Sequence, residues 1–285
     1  MTAHALLAHA GRPLEPHDLW TAWNADPLLV GGLVAAAWAY RRGAARRRRT
    51  ANGQAWRDRC FTGALVAVGA ALLSPLDALS GALASAHMAQ HLLLVLVAAP
   101  LLALSAPTTT LLRGSPATVR NASVRWRRLP SVRAGARLMR HPAPAFLLPV
   151  GALWFWHAAV PYDAAVGNHL VHVVEHATFL VTGVLFWRVI VGAREAERVP
   201  PGLGILLVFA MGMQSVFLSA LLTFARGPWY SAYAGTTAAW GLDPLADQQL
   251  AGVIMWIPAG VVYVGAGLSL LVTWLRATES LEQPA

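Results

Sequence analysis

Lysine is absent from this 285-residue chain, and all 22 basic residues are arginine. Acidic residues number only 13, and charged residues make up 12% of the sequence. Cysteine occurs once, at Cys60, which excludes an intramolecular disulfide and any Cys-x-x-Cys metal motif. There is no Walker loop, no Gly-x-Gly-x-x-Gly element and no Gly-x-Ser-x-Gly elbow, so the common nucleotide-binding and α/β-hydrolase readings fall away. No repeat of solenoid type is present. What is abundant is apolar: 56% of residues are hydrophobic, and the mean hydropathy is +0.51. That balance fits a polytopic membrane protein and excludes ordinary soluble domains.

A pI near 11.1 invites a nucleic-acid reading. The arginines argue against it, because they sit in short connections between apolar runs, where they set topology. The expected fold is all-α, with seven transmembrane helices at about 22–40, 59–79, 86–106, 144–161, 167–191, 202–224 and 248–275. Residues 1–21 are read as a tail outside the membrane, 22–275 as the membrane domain and 276–285 as a cytoplasmic tail. Met1–Trp20 has no basic stretch followed by an apolar core, so no cleavable signal is expected. His4, His9 and His17 are read as tail residues. Counting alternate loops puts 20 of the 22 arginines on one side, all but Arg12 and Arg226. The N-terminus is therefore expected outside and the C-terminus in the cytoplasm. In the long third connection, 113–140, Trp126, Leu129, Val132, Leu138 and Met139 are interleaved with arginines, as in a surface helix lying on anionic lipid.

This topology gathers nine of the ten histidines toward the outer half, with only His141 inside. His87 and His91 stand four apart on the third span, a spacing that suits two ligands on one metal. Leu94 and Ala98 continue their face inward, and Ala98 allows a second helix to come close. His157 closes the fourth span. His169, His172 and His176 share one face of the fifth, with Gly183 further along it. His169 and His176 are about 10 Å apart by helical rise, so His172 and His176 are the better pair and His169 lies at the rim. His172-Val-Val-Glu175-His176 also spells the His-x-x-Glu-His pattern of inverted zinc proteases. Glu175 would there be a general base; it can equally orient a ligating imidazole or ligate directly. Met211, Gln214, Ser215 and Leu218 share a face of the sixth span, and Gln248, Gly252 and Met255 one of the seventh. Thioether beside imidazole suits Cu(I). In the longest outer loop, Arg226 through Gln249, the aromatics are expected to form an interfacial belt. Asp243 and Asp247 are candidates to cap the seventh helix or to line metal access, and Pro258 to kink it.

Three stretches carry a family resemblance: Ala86-His87-Met88-Ala89-Gln90-His91 through Pro100, Trp156-His157 through Trp187, and Pro244-Leu-Ala-Asp247-Gln248-Gln249 through Trp256. Together they resemble the seven-span CtaG family of assembly factors for caa-type cytochrome c oxidase, over about 20–275. The resemblance implies a bacterial plasma-membrane protein that is not an enzyme and acts as a metal chaperone to oxidase subunits at copper insertion. His87, His91, His157, His172, His176, Asp247 and Gln248 match its motifs; the family pattern would put a proline nearer His157 than Pro161 stands. The expected metal ligands are His87, His91, His172 and His176. His157, His169, Glu175, Asp247, Gln248, Met88, Met211 and Met255 are secondary candidates. The metal is expected to be copper, with zinc as the alternative. Two competing functions are a zinc-dependent seven-helix membrane hydrolase and a haem-b electron carrier. Expected partners are oxidase subunits and membrane lipid, with no nucleic acid.

Overall fold

The computed structural model describes residues 14–46, 54–193 and 198–282, with side chains up to 278. His4, His9, Arg12, Arg47, Arg48, Arg49 and Arg194 lie outside the described residues. All regular structure within them is helical: α1 Pro27–Ala45, α2 Gln54–Leu72, α3 Pro75–Ser80, α4 Ala84–Leu92, a π-helical stretch Leu93–Ala98, α5 Ala99–Ser105, α6 Thr108–Gly114, α7 Ala117–Arg128, α8 Pro130–Leu138, α9 Pro142–His157, α10 Ala159–Gly167, α11 His169–Val191, α12 Pro201–Thr223 and α13 Pro244–Glu282.

Helix starts follow a recurring local rule. Asp26-Pro27, Ser74-Pro75, His141-Pro142 and Asp243-Pro244 each put a capping acceptor before a proline whose missing N–H costs nothing in a first turn. Asn168 caps α11 by accepting from the Leu170 and Val171 amides. Four helices are long and apolar enough to cross a membrane: Ala84–Ser105 (α4 through α5), α11, α12 and Pro244–Thr278 of α13. A fifth crossing arises if α9 and α10, bent by 75° about Ala158, form one broken span. Their free faces are apolar, as in Phe155, Phe209, Phe217, Ile257, Val261 and Val264, each more than half exposed. Such faces suit hydrocarbon and not water.

Several expected boundaries shift. α1 starts at Pro27 and runs on through Arg41 and Arg42. The expected span 59–79 is divided, since α2 ends at Leu72 and Ser74-Pro75 opens α3. α1 and α2 are each 19 residues long, with Arg41 and Arg42 in the first and Arg57, Asp58 and Arg59 in the second, and neither is among the four long apolar helices. Tyr40 ties them together, stacking on Phe61 and donating to Asp58 (2.8 Å). At its C-terminal end α1 meets α6 backbone to backbone, and a methyl group on Gly43 or Gly114 would overlap the carbonyl of Thr110 or Ala39. The 113–140 connection folds into two helices, α7 and α8, rather than one. α7 and α8 bury no residue and leave Trp126, Leu129 and Leu138 exposed among arginines. α13 runs unbroken through Pro258.

The site is positioned by two irregularities. The first is the π stretch. The Ala99 amide bonds to the Leu94 carbonyl, five residues back, which takes it away from the Val95 carbonyl. The next amide position is Pro100, which has no hydrogen to offer. The Trp187 indole donates to Val95 O instead (2.9 Å). One extra residue in the turn rotates everything after it. Ala99 therefore meets Gly183, whose Cβ would lie 3.1 Å from the Ala99 methyl. Ala98 packs with Ala67, Val68 and Ala71 of α2.

The second irregularity is the break after His157. Pro161, four residues on, cannot donate to the His157 carbonyl. The Tyr230 hydroxyl takes that place at 3.1 Å.

Candidate metal centre

α4 and α11 face each other through their imidazoles. The His87 ring centre lies 4.4 Å from that of His91, 5.1 Å from His172 and 5.9 Å from His176. His172 and His176 are 4.1 Å apart, and His91 and His176 5.3 Å. The four expected ligands are thus brought together. Glu175 joins them as a full member: one ligand atom from each of His87, His172, Glu175 and His176 falls in a group whose members all lie within 4.8 Å of one another. His91 adjoins this quartet, its Nε2 3.5 Å from Glu175 Oε1.

Hydrogen-bond logic fixes the His87 tautomer. Tyr233 donates its one hydroxyl proton to the Ser80 carbonyl (2.9 Å). Its oxygen therefore accepts from His87 Nδ1 at 3.1 Å, so Nδ1 carries a proton. Nε2 then points its lone pair at Glu175 Oε2, 3.2 Å away. Two acceptors at that distance need a cation between them, either a proton in the metal-free protein or a metal ion. Glu175 and His87 are fully buried, and an isolated carboxylate there is costly unless paired. Glu175 Oε1, His176 Nε2 and both ring nitrogens of His91 are buried without a hydrogen-bond partner. Each such atom costs about 1–3 kcal/mol, and a bound ion would satisfy several at once. The donor set of three imidazoles and a carboxylate suits zinc or copper better than magnesium or calcium.

The other candidates fall elsewhere. His169 is exposed at the start of α11, 3.9 Å from Asp26. Asp247 is buried but committed: it accepts from the Ala84 amide (2.6 Å), the Ser85 amide (3.2 Å) and the Ser85 hydroxyl (2.5 Å). It therefore caps α4, the helix that carries His87, and not its own helix, which Asp243 caps. Gln248 accepts from the Trp229 amide (2.6 Å) and so fixes the 225–243 loop. His157 faces Met88, away from the quartet, and Met211 and Met255 line a cavity beside it.

Sequence reasoning missed the tyrosines. Tyr230 and Tyr233 were expected in an interfacial belt, yet both are buried over the site. Tyr162 stacks on Tyr230 (3.7 Å) and its hydroxyl lies 3.3 Å from that of Tyr233. The loop is pinned by Asp163, which accepts from the Ser231 amide and hydroxyl and the Ala232 amide. Burial pushes the phenols of Tyr230 and Tyr233 up from their ordinary range, so both stay protonated donors near neutrality. Gln90 was also missed. It donates to Ala71 O and Asp77 Oδ1 (2.8 Å each), joining α4 to α2 and α3. Gln90 stands inside the His87–His91 motif and Tyr162 follows His157 by five residues, but Tyr230 and Tyr233 carried no such signal.

Tyr233→Phe removes the acceptor that holds His87 Nδ1–H and leaves Ser80 O without its donor. The expected result is metal affinity about 10–100-fold weaker, measured by competition with a chelator, in a protein that still folds.

The family model described as cytochrome c oxidase caa3 assembly factor (Caa3_CtaG) matches residues 38–277. Among curated proteins, the uncharacterized protein Mb0105 of Mycobacterium bovis and the uncharacterized protein MT0111 of Mycobacterium tuberculosis are each 30% identical over 267 residues. The uncharacterized protein ML1998 of Mycobacterium leprae is 28% identical over 271 residues. In each case the match covers 90% of this chain but only 40% of the relative's length. No solved structure matches the chain.

Proposed function

Since the chain belongs to the Caa3_CtaG family of cytochrome c oxidase caa3 assembly factors, we propose that it binds copper as cargo in the quartet of His87, His172, Glu175 and His176 and hands it to an oxidase subunit. The single observation carrying this reading is the convergence of three imidazoles and one carboxylate within 4.8 Å, several of their atoms buried without another partner. His91 lies beside the quartet, its Nε2 3.5 Å from Glu175 Oε1, and is not one of its four donors.

In this reading α1 and α2 join the apolar helices to make seven spans. The N-terminus lies outside, the C-terminus is cytoplasmic, and the quartet sits near the outer surface of a bacterial plasma membrane. The arginine distribution supports that orientation. α7 and α8 rest on anionic lipid, their exposed Trp126, Leu129 and Leu138 in the headgroup region. The protein's role is transfer rather than catalysis. The cavity beside the cluster, about 60 Å³, has room for several waters or a small ion.

The test is metal analysis of the full chain purified from copper-supplemented cells, alongside assembled oxidase in the same cells. Wild type is expected to carry stoichiometric copper, and His172→Ala to lose the quartet's ion and to lower active oxidase. Unchanged copper in His172→Ala, or its absence from wild type, overturns the reading.

A further inference from the structure

We propose a second, softer cation site on the cavity side of the imidazole cluster, formed by Met88 Sδ and His157 Nε2 with His91 as third donor, for a monovalent thiophilic ion of the Cu(I) or Ag(I) class. The site uses none of the quartet's donor atoms, so it stands whether or not the quartet holds copper.

The starting observation is a contact between two groups that both lack a hydrogen. His157 Nδ1 lies 2.7 Å from the Leu153 carbonyl, which can only accept. The proton of the neutral ring is therefore on Nδ1, and Nε2 carries a lone pair. That lone pair faces the thioether of Met88 at 3.3 Å, and a thioether has no proton to give. Charging the ring would put a proton between them, but His157 is only 3% exposed and no carboxylate is bonded to it among the described residues. A buried imidazolium without a counter-ion is costly. A metal ion shared by the two atoms uses both lone pairs.

The spacing selects the coordination. With metal–nitrogen and metal–sulfur bonds of roughly 2.0–2.1 and 2.3 Å, donors 3.3 Å apart subtend an angle of about 100° at the metal. That is near the tetrahedral angle and far from linear, so at least one more donor is required. His91 is the candidate: its ring centre is 5.9 Å from that of His157, it lines the same cavity, and neither of its nitrogens has a hydrogen-bond partner. Met211 and Met255, on α12 and α13, also line that cavity. A donor set of nitrogen and thioether sulfur, with no carboxylate, selects a soft monovalent ion over zinc, magnesium or calcium. The quartet, with its carboxylate, has the harder character.

The experiment uses the full chain carrying Cys60→Ser, so that methionine is the only source of sulfur, loaded anaerobically with Cu(I) in detergent. X-ray absorption at the copper edge should contain a sulfur scatterer at about 2.3 Å. Met88→Leu, nearly isosteric and so expected to fold, should abolish that scatterer and bind one Ag(I) fewer per chain, with Zn(II) binding unchanged. His172→Ala should do the reverse, losing Zn(II) and keeping the sulfur. A sulfur scatterer in the parent together with copper content unchanged in His172→Ala would overturn the quartet reading and support this one. A parent spectrum with no sulfur scatterer, or one that persists in Met88→Leu, overturns it. The parent spectrum decides the matter even if the variant fails to fold.

Discussion

Glu175→Gln is expected to strip the quartet of its metal while leaving the fold intact. The side chains are nearly the same shape, so packing against α4 is preserved. What changes is charge. Glu175 is fully buried, and its Oε2 faces the lone pair of His87 Nε2 at 3.2 Å. In the wild type a cation must sit between them; the glutamine amide can instead donate its own N–H to His87. The need for a cation disappears, and so does the only anionic donor among three neutral imidazoles. Affinity should fall by more than the roughly 10–100-fold expected for groups that merely orient ligands. The metal-free variant should melt no lower than the metal-free wild type, because a buried carboxylate has been replaced by a satisfied amide. Metal content and thermal melting of the two proteins, with and without chelator, check both halves. Full copper in the variant would show that the carboxylate is not a ligand.

Asp247→Asn is expected to give a large loss of stability. The carboxylate accepts two backbone amides and a hydroxyl at the start of α4, with no exposure to solvent. Leu83, the residue at the cap position, has no side-chain acceptor to offer, so the cap comes from α13 across the bundle. Asparagine keeps one oxygen and turns an N–H₂ toward the other donors. Loss of a cap costs about 0.5–2 kcal/mol, and loss of the negative charge at a buried helix N-terminus up to about 2 kcal/mol. A total near 3 kcal/mol is the expected scale, read as a fall in melting temperature in detergent. Because His87 is three residues beyond Ala84 on the same helix, metal affinity should fall as well. A fully stable Asp247→Asn protein would mean the α4 terminus finds its bonds elsewhere.

The parts of this protein that were legible in the sequence are those in which one residue type has one physical option. Apolar runs of helical length marked α4–α5, α11, α12 and α13 to within a few residues. The spacing of His87 with His91 and of His172 with His176 gave the two walls of the centre, because each pair shares a helix face. Gly183 was identified as a close-packing point and is one. What escaped was decided by contacts between distant segments. Asp247 looked like a cap for its own helix, and only the fold brings it to Ala84. Tyr230 and Tyr233 looked interfacial, since nothing in a loop announces that Asp163 will draw it down over the site. Ala98 was expected to admit a second helix and does admit α2, but ideal helical spacing could not show that a widened turn brings Ala99 to Gly183. The first helix starts later than expected, at Pro27 behind the Asp26 cap, and runs on through Arg41 and Arg42, since arginine is a good helix former.

That widened turn between Leu93 and Ala98 separates the histidine-bearing span into two segments with different rotational settings. The segment before the turn is oriented by Asp247 and Tyr233, the one after it by Gly183 and the small residues of α2. In a uniform α-helix those two sets of demands would be rigidly linked, and a residue change on one segment would have to be matched on the other. The irregular turn breaks the linkage, and the Trp187 indole holds the carbonyl that the break leaves open. Substitutions can therefore accumulate along the segment after the turn without turning the imidazoles away from their partners.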